Sequence, residues 1–231
     1  MQSKIIKSAE EIEIIKASAK IVDDCYGLLL NWVNVGMTEI QVANFVLNTM
    51  KELGAEGVSF DTIVAFGENG CEPHHIPTSR ALSSGDMVTV DMGAVLGGYC
   101  SDFTRTFAYG KPNAEMLEIY DIVKTSQSLS LKAVKAGERC FDIDKICRDY
   151  IAENGYGEKY IHGTGHGVGL LIHEAPTLNR KSEEILEDGM VITIEPGIYV
   201  QNLGGVRIED MVIVGENVPL SIHSRELIVL G

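Results

Sequence analysis

Val88-Thr89-Val90-Asp91-Met92-Gly93 and Ile192-Thr193-Ile194-Glu195-Pro196-Gly197 follow one design about a hundred residues apart. Each is an apolar, strand-like run that ends in a carboxylate and then a glycine two residues on. Each is followed by a second carboxylate, Asp102 after the first run and Glu209 after the second. His166 lies between them in Gly163-Thr164-Gly165-His166-Gly167-Val168-Gly169. Four acids and one imidazole gathered at a point need cations, because like charges held together resist ionising. The set is the right size for two ions, and two-metal sites of this kind activate water for hydrolysis. On its residues alone the chain reads as a two-metal hydrolase.

The first carboxylate pair flanks Val95-Leu96-Gly97-Gly98, a turn signal between strand-like runs. A hairpin centred between Leu96 and Gly97 pairs positions whose numbers add to 193, as 91 and 102 do. The expectation is therefore that Asp91 and Asp102 face each other at ~5 Å with a cation between them. The second run belongs to an internal repeat: Gly85 to Gly93 aligns with Gly189 to Gly197 without a gap, at an offset of 104 residues. Ala9-Glu10-Glu11-Ile12 has a counterpart in Ala114-Glu115-Met116-Leu117, and Gly54 and Gly155 close equivalent helical stretches. Glu195 and Glu209 flank Gln201-Asn202-Leu203-Gly204-Gly205, so the second hairpin also carries a carboxylate on each arm.

Helices are expected at about 9–33, 38–53, 113–135 and 141–154, from apolar residues at three- and four-residue steps. Thr38-Glu39-Ile40-Gln41 supplies a capping box for the second helix. Strands are expected near 61–66, 86–95, 99–108, 190–200, 206–214 and 226–230. Helix pairs followed by hairpins predict an α+β fold with antiparallel sheet, a pseudo-two-fold repeat in which two acidic hairpins build one pocket. That pocket needs both halves, so the expected organisation is one domain over 1–231.

Composition fits this reading. A chain of 231 residues with 45% hydrophobic residues and a mean hydropathy of +0.08 is long enough to bury a sizeable core. The net charge of −14 argues against nucleic acid as a partner, because phosphate binding needs clustered Lys and Arg. No apolar run approaches the length of a membrane span. Cys25, Cys71, Cys100, Cys140 and Cys147 are odd in number without C-x-x-C pairing, so they read as reduced thiols of a cytoplasmic protein. Cys100, beside the first turn, reads as a core residue.

Three other chemistries lack their residues. The glycines around His166 alternate and do not match G-x-G-x-x-G; they let backbone pass close while His166 points inward. No G-x-S-x-G elbow is present. His173-Glu174 begins an H-E-x-x-H motif that nothing completes, which disfavours a single-zinc site.

The chain resembles the pita-bread metallopeptidases, which include methionine aminopeptidases, Xaa-Pro dipeptidases (prolidases), aminopeptidase P and creatinases. The resemblance runs from about Lys7 to Leu230. It rests on Pro73-His74, Val90 to Ala94, Gly98 to Thr106, His162 to Gly169, Ile172-His173-Glu174-x-Pro176, Glu195-Pro196-Gly197 and Gly205 to Asp210. Tyr99-Cys100-Ser101-Asp102 and Val206-Arg207-Ile208-Glu209-Asp210 look like the Xaa-Pro branch. The resemblance implies a pita-bread fold and an exopeptidase that hydrolyses the bond between an N-terminal residue and proline through a metal-bridging hydroxide. Asp91 would chelate the first metal, Asp102 and Glu209 would bridge both, and His166 and Glu195 would complete the second. His74 and His173 match two substrate-facing histidines, with His75 as the rival for the first. His162 matches a histidine of the Xaa-Pro branch, and Arg207 would hold a ligand carboxylate from behind. Glu195 would relay a proton to the departing nitrogen. An oxygen-rich set with one nitrogen suits Mn²⁺, with Co²⁺ or Fe²⁺ as alternatives.

Two departures from that pattern shape the expectations. Lys4 to Ser8 looks like the junction at which full-length Xaa-Pro peptidases join an N-terminal accessory domain to the catalytic one, so the expectation is the catalytic domain alone. Several prolidases place a basic residue after His-Glu-x-Pro to hold a dipeptide's carboxylate; here that position is Thr177, with Arg180 nearby. Methionine aminopeptidase is the alternative activity, and a metal-free peptide- or protein-binding module is the non-enzymatic one. The oligomeric state is not readable from the sequence.

Overall fold

The computed structural model describes residues 4–216 and 218–231. The first half holds α1 (Ala9–Trp32), α2 (Glu39–Glu52), β1 (Gly57–Val58), β2 (Ile63–Phe66), β3 (Met87–Met92), β4 (Ala94–Leu96), β5 (Tyr99–Cys100) and β6 (Phe103–Tyr109). The second holds α3 (Ala114–Ala133), α4 (Cys140–Glu153), β7 (Gly165–Gly167), β8 (Glu174–Leu178), β9 (Val191–Ile194), β10 (Gly197–Val200), β11 (Gly204–Arg207) and β12 (Asp210–Ile213). β13 (Val229–Leu230) returns to pair in parallel with β6. The helices lie within two residues of their expected ends. Ser8 and Thr38 cap α1 and α2 in reciprocal boxes with Glu11 and Gln41, which satisfies amide groups that the first turn leaves without partners.

The repeat is visible in the sheets. Beside the smaller sets β1-β4-β5 and β10-β11, which extend the hairpins, two four-stranded sheets have the orders β13-β6-β3-β2 and β12-β9-β7-β8. Within them β2-β3-β6 and β7-β9-β12 are both antiparallel sets, and β3 and β9 start at the expected offset, Met87 against Val191. This α+β arrangement is the pita-bread fold. Each hairpin breaks midway: pairing lapses at Gly93 and Ser101–Asp102, and again at Glu195–Pro196 and Ile208–Glu209. Three of the four key carboxylates sit in those breaks. There the backbone bonds across the molecule, Glu209 N–H to the Thr104 carbonyl (3.0 Å) and Glu195 N–H to that of Thr164 (2.8 Å).

The register of the first hairpin differs from expectation. Partners in β3–β6 and β4–β5 have numbers adding to 195, so Asp91 faces Thr104. The reason is the turn: Gly97 and Gly98 both have positive φ (56° and 80°), the signature of a two-residue type I′ turn centred between them. Asp102 is therefore a diagonal same-face neighbour of Asp91, a relation of ~7–8 Å rather than direct opposition. The glutamates behave otherwise. Partner numbers in β9–β12 and β10–β11 add to 404, which sets Glu195 opposite Glu209.

The halves share core. Ile15 and Ala19 of α1 pack with Val168, Val191, Met211 and Ile213 of the second half. Met87 and Ala108 of the first half pack with Ile119 and Val123 of α3. Cys25, Cys100, Cys140 and Cys147 are buried free thiols, in line with the core reading of Cys100. Among the described residues no helix is long and apolar enough to cross a membrane.

Candidate metal and substrate site

The expected metal ligands and substrate-facing residues line one cleft of about 850 Å³: His74, Asp91, Asp102, His162, His166, His173, Glu195, Arg207 and Glu209; Arg180 is not among its lining residues. β3 supplies Asp91, the breaks in the hairpins supply Asp102, Glu195 and Glu209, and β7 supplies His166. The alternating glycines explain how β7 comes so near. A Cβ on Gly165 would collide with the Thr193 carbonyl oxygen, and one on Gly167 with that of Ala175.

Asp102, His166 and Glu209 offer ligand atoms that lie within 4.8 Å of one another. The His166 Nδ1 lies 3.0 Å from the Gly167 carbonyl oxygen. Donation to it turns Nε2 toward Glu195 Oε1 (3.2 Å) and Asp102 Oδ2 (3.5 Å). Asp91 enters from the other side, with Oδ2 accepting from Arg207 Nη2 at 2.7 Å. Asp91 Oδ1 and Glu209 Oε1 are buried without a hydrogen-bond partner in the protein. Orphaned carboxylate oxygens in a buried cluster are costly by themselves. As hard oxygen donors beside one imidazole, they fit divalent cations. Asp91, Asp102, His166, Glu195 and Glu209 are the residues that could hold them.

The electrostatics carry the same message. Burial, then the charges of neighbouring carboxylates, pushes Asp102 and Glu209 well above the ordinary carboxylate range. Burial also raises Asp91, with Arg207 pulling the other way. Glu195 is the exception: burial works against its charge, but the His166 hydrogen bond and the nearby His162 and Arg207 charges hold it at about 2. Burial opposes the charging of His166, and Glu195 outweighs it, so that histidine is raised. Burial lowers His173, helped by the adjacent charge of His166.

His74 and His75 separate cleanly. His75 is buried and fastened by Glu39 Oε2 at 2.9 Å. Glu39 is itself fully buried and also accepts from the amides of Phe66 and Thr78. His74 is exposed and lines the cleft beside it. His173 stands beside His166, their ring centroids 4.3 Å apart. His162 is held at both nitrogens, with Nδ1 2.8 Å from the Gly163 carbonyl and Nε2 2.8 Å from the Tyr199 hydroxyl.

Sequence reasoning passed over Tyr199 and Thr104. The Tyr199 hydroxyl accepts from Arg207 Nη1 (2.9 Å) and joins Arg207 to His162; burial raises it to about 12, so it stays protonated. A side chain on Gly197 would strike that hydroxyl. Thr104 Oγ1 donates to Glu209 Oε2 at 2.7 Å and accepts from Arg207 Nε at 3.2 Å. Thr104 was within reach of strand alternation, two positions from the flagged Asp102 on the same face.

Comparison with known proteins identifies the family. The description of metallopeptidase family M24 matches residues 13–216. The chain is 45% identical over 214 residues to the Xaa-Pro dipeptidase of Pyrococcus furiosus, covering 93% of this chain and 62% of that one. Among solved structures, it superposes on an Xaa-Pro dipeptidase from Bacillus anthracis with a TM-score of 0.96 at 44% identity, covering 98% of this chain and 64% of the other. It superposes on an X-Pro aminopeptidase from Thermotoga maritima with a TM-score of 0.95 at 37% identity, covering 98% and 65%. The chain thus spans a little under two thirds of the length of these relatives. With residues 13–216 matched to the family and 44–45% identity to the two dipeptidases over most of its length, the chain belongs to metallopeptidase family M24.

Proposed function

We propose that this chain is the catalytic domain of a dinuclear metallo-exopeptidase that cleaves between an N-terminal residue and proline. The observation that carries the reading is the pair of orphaned buried oxygens, Asp91 Oδ1 and Glu209 Oε1, in a cluster flanked within one cleft by His74 and His173. The names of the relatives, Xaa-Pro dipeptidase and X-Pro aminopeptidase, supply the substrate class. Two divalent ions held by Asp91, Asp102, His166, Glu195 and Glu209, with Mn²⁺ suited to the donor set, would supply Lewis acidity and make hydroxide available near neutral pH. His173, kept neutral by its lowered pKa, donates to the oxyanion that develops on the scissile carbonyl. His74 hydrogen-bonds the scissile peptide from the other side. Glu195, ionised, accepts the proton of the attacking water and passes it to the departing proline nitrogen. Arg207 holds Asp91 in place, and the Tyr199 hydroxyl fixes the His162 ring as part of the wall.

The cleft also bears on substrate length. Arg207 is the one Lys or Arg among the lining residues, and Asp91, Tyr199 and Thr104 occupy its guanidinium. Near Thr177 the nearest charge is negative, since Glu184 Oε2 accepts from the Thr177 amide at 2.7 Å. Among the described residues no Lys or Arg lines the cleft there to meet a dipeptide's free carboxylate. Substrates of three residues or more should be cleaved at least as well as Xaa-Pro dipeptides. A charge-assisted bond is worth roughly 1.5–3 kcal/mol, so its lack shifts the preference by about tenfold or more.

The test is hydrolysis by Mn²⁺-loaded protein of Xaa-Pro, Xaa-Pro-Xaa and Xaa-Ala-Xaa peptides, beside Met-Ala-Ser. Cleavage of proline peptides alone supports the proposal. Removal of Met from Met-Ala-Ser with no action on proline peptides assigns methionine aminopeptidase instead. Metal content near zero after loading, with peptide binding retained, assigns a binding module.

A further inference from the structure

Lys7 and Glu174 form an ion pair that the chemistry above does not use. The Nζ–Oε2 distance is 2.9 Å, and the two side chains are 2% and 3% exposed. Lys7 lies on the segment ahead of α1, which is fastened to the second half by the Lys7 amide on the Gly189 carbonyl (2.9 Å) and a bridge between Ile6 and Met190. Glu174 directly follows His173. Its other oxygen, Oε1, accepts from the Leu171 amide at 2.9 Å, and in the β7–β8 register it pairs with Gly167, next to His166. A Cβ on Gly169 would crowd the carboxylate at 2.6 Å, so that glycine makes its room. One buried carboxylate thus closes the loop that bears His166 at one end and His173 at the other. One ammonium, from the far end of the chain, neutralises it.

We propose that Lys7 is a positioning residue for His173. Its ammonium, 2.9 Å from Oε2, holds the Glu174 carboxylate aimed into the loop, and Glu174 in turn fixes Leu171 and the backbone from which His173 projects into the cleft. The segment 4–8 is then a mechanical connection to the substrate site: a shift of this segment is transmitted to the oxyanion donor rather than to the metal ligands. The inference rests on the role given to His173 above, but its structural half is testable without peptidase activity.

The experiment uses the full chain loaded with diamagnetic Zn²⁺ for NMR of the histidine rings, and with Mn²⁺ for kinetics. His173→Gln identifies the His173 resonance, and His223, bonded outside the cleft to the Asp23 carbonyl, is the internal control. In Lys7→Met the His173 resonance should move while that of His223 stays. Metal content should remain that of wild type, KM should stay within about twofold, and kcat should fall about tenfold or more. Lys7→Arg should recover most of the kcat. Should Lys7→Met fail to fold, Glu174→Gln, which keeps the acceptor for Leu171 and removes the charge, is expected to displace the same resonance. An unmoved His173 resonance in a folded variant overturns the proposal, as does a kcat within twofold of an active wild type or a loss of metal in step with the loss of rate. If wild type cleaves no proline peptide, the functional reading fails and the NMR arm still decides the role of Lys7.

Discussion

At the scale of single residues, the site divides into groups whose loss should empty it and groups whose loss should only slow it. Asp102, His166 and Glu209 offer ligand atoms within 4.8 Å of one another. Asp102→Ala should therefore lower bound metal sharply, whereas Glu118→Ala, on the exposed face of α3, should leave it unchanged. His173→Ala should keep its metal and lose ~10²–10³ in kcat, the usual cost of an oxyanion donor. Metal analysis beside steady-state kinetics separates these, and equal metal loss in both variants would contradict the division. The raised pKa values of Asp102 and Glu209 add a second expectation. Without metal, these two groups hold protons at pH values where free carboxylates are ionised. A binding cation must displace them, so apparent affinity should fall as pH falls and protons should be released on binding. Calorimetric titration between about pH 5.5 and 8 in buffers of different ionisation enthalpy checks the sign; a flat affinity would rule it out.

At the scale of elements, what was legible is what local chemistry dictates. The capping box at Thr38 and the apolar periodicity set the helix limits nearly to the residue, and the structure adds a second box at Ser8. Three features were not legible, each for a different reason. The hairpin register was placed one step early because the turn was centred on Leu96-Gly97 and not on Gly97-Gly98. β8 was missed because Glu174 to Leu178 contains a proline and lacks clean alternation; it exists because β7 pairs with it. Tyr199 was missed because its hydroxyl matters only once Arg207 and His162 are brought together across the fold. The same contrast between local and assembled structure separates two neighbouring positions. Thr38→Ala removes a cap and should cost ~0.5–2 kcal/mol of stability with kcat unchanged. Glu39→Ala strips His75 and the Phe66 and Thr78 amides of their acceptor. It should cost more stability, because buried donors are left unmet, and should lower kcat, because the segment from 66 to 78 carries His74. Denaturant melts and kinetics on both variants test this, and a Glu39→Ala protein as active as wild type would count against it.

At the scale of the whole molecule, the two halves are joined by apolar packing and divided by charge. Helix α1 buries Ile15 and Ala19 against Val191, Met211 and Ile213, and α3 packs against Met87 and Ala108, so each half completes the core of the other. The acidic hairpins meet at the same seam, where Asp91, Asp102, Glu195 and Glu209 repel one another within a buried cluster. Unfolding should therefore be a single cooperative transition, because neither half retains its core alone. Its midpoint should depend strongly on metal. Ions bound to the native state and not to the unfolded chain stabilise by about 2.7 kcal/mol at a free concentration a hundred times the dissociation constant. They also remove the repulsion at the seam. Chelation should lower Tm by several degrees, return of Mn²⁺ should restore it, and Asp102→Ala should melt near the chelated wild type whether or not Mn²⁺ is present. Calorimetric scans of the four samples decide it. Two resolved transitions would show that the halves unfold separately, and a Tm indifferent to metal in the wild type would show that the carboxylates at the seam are held by the protein without help from cations.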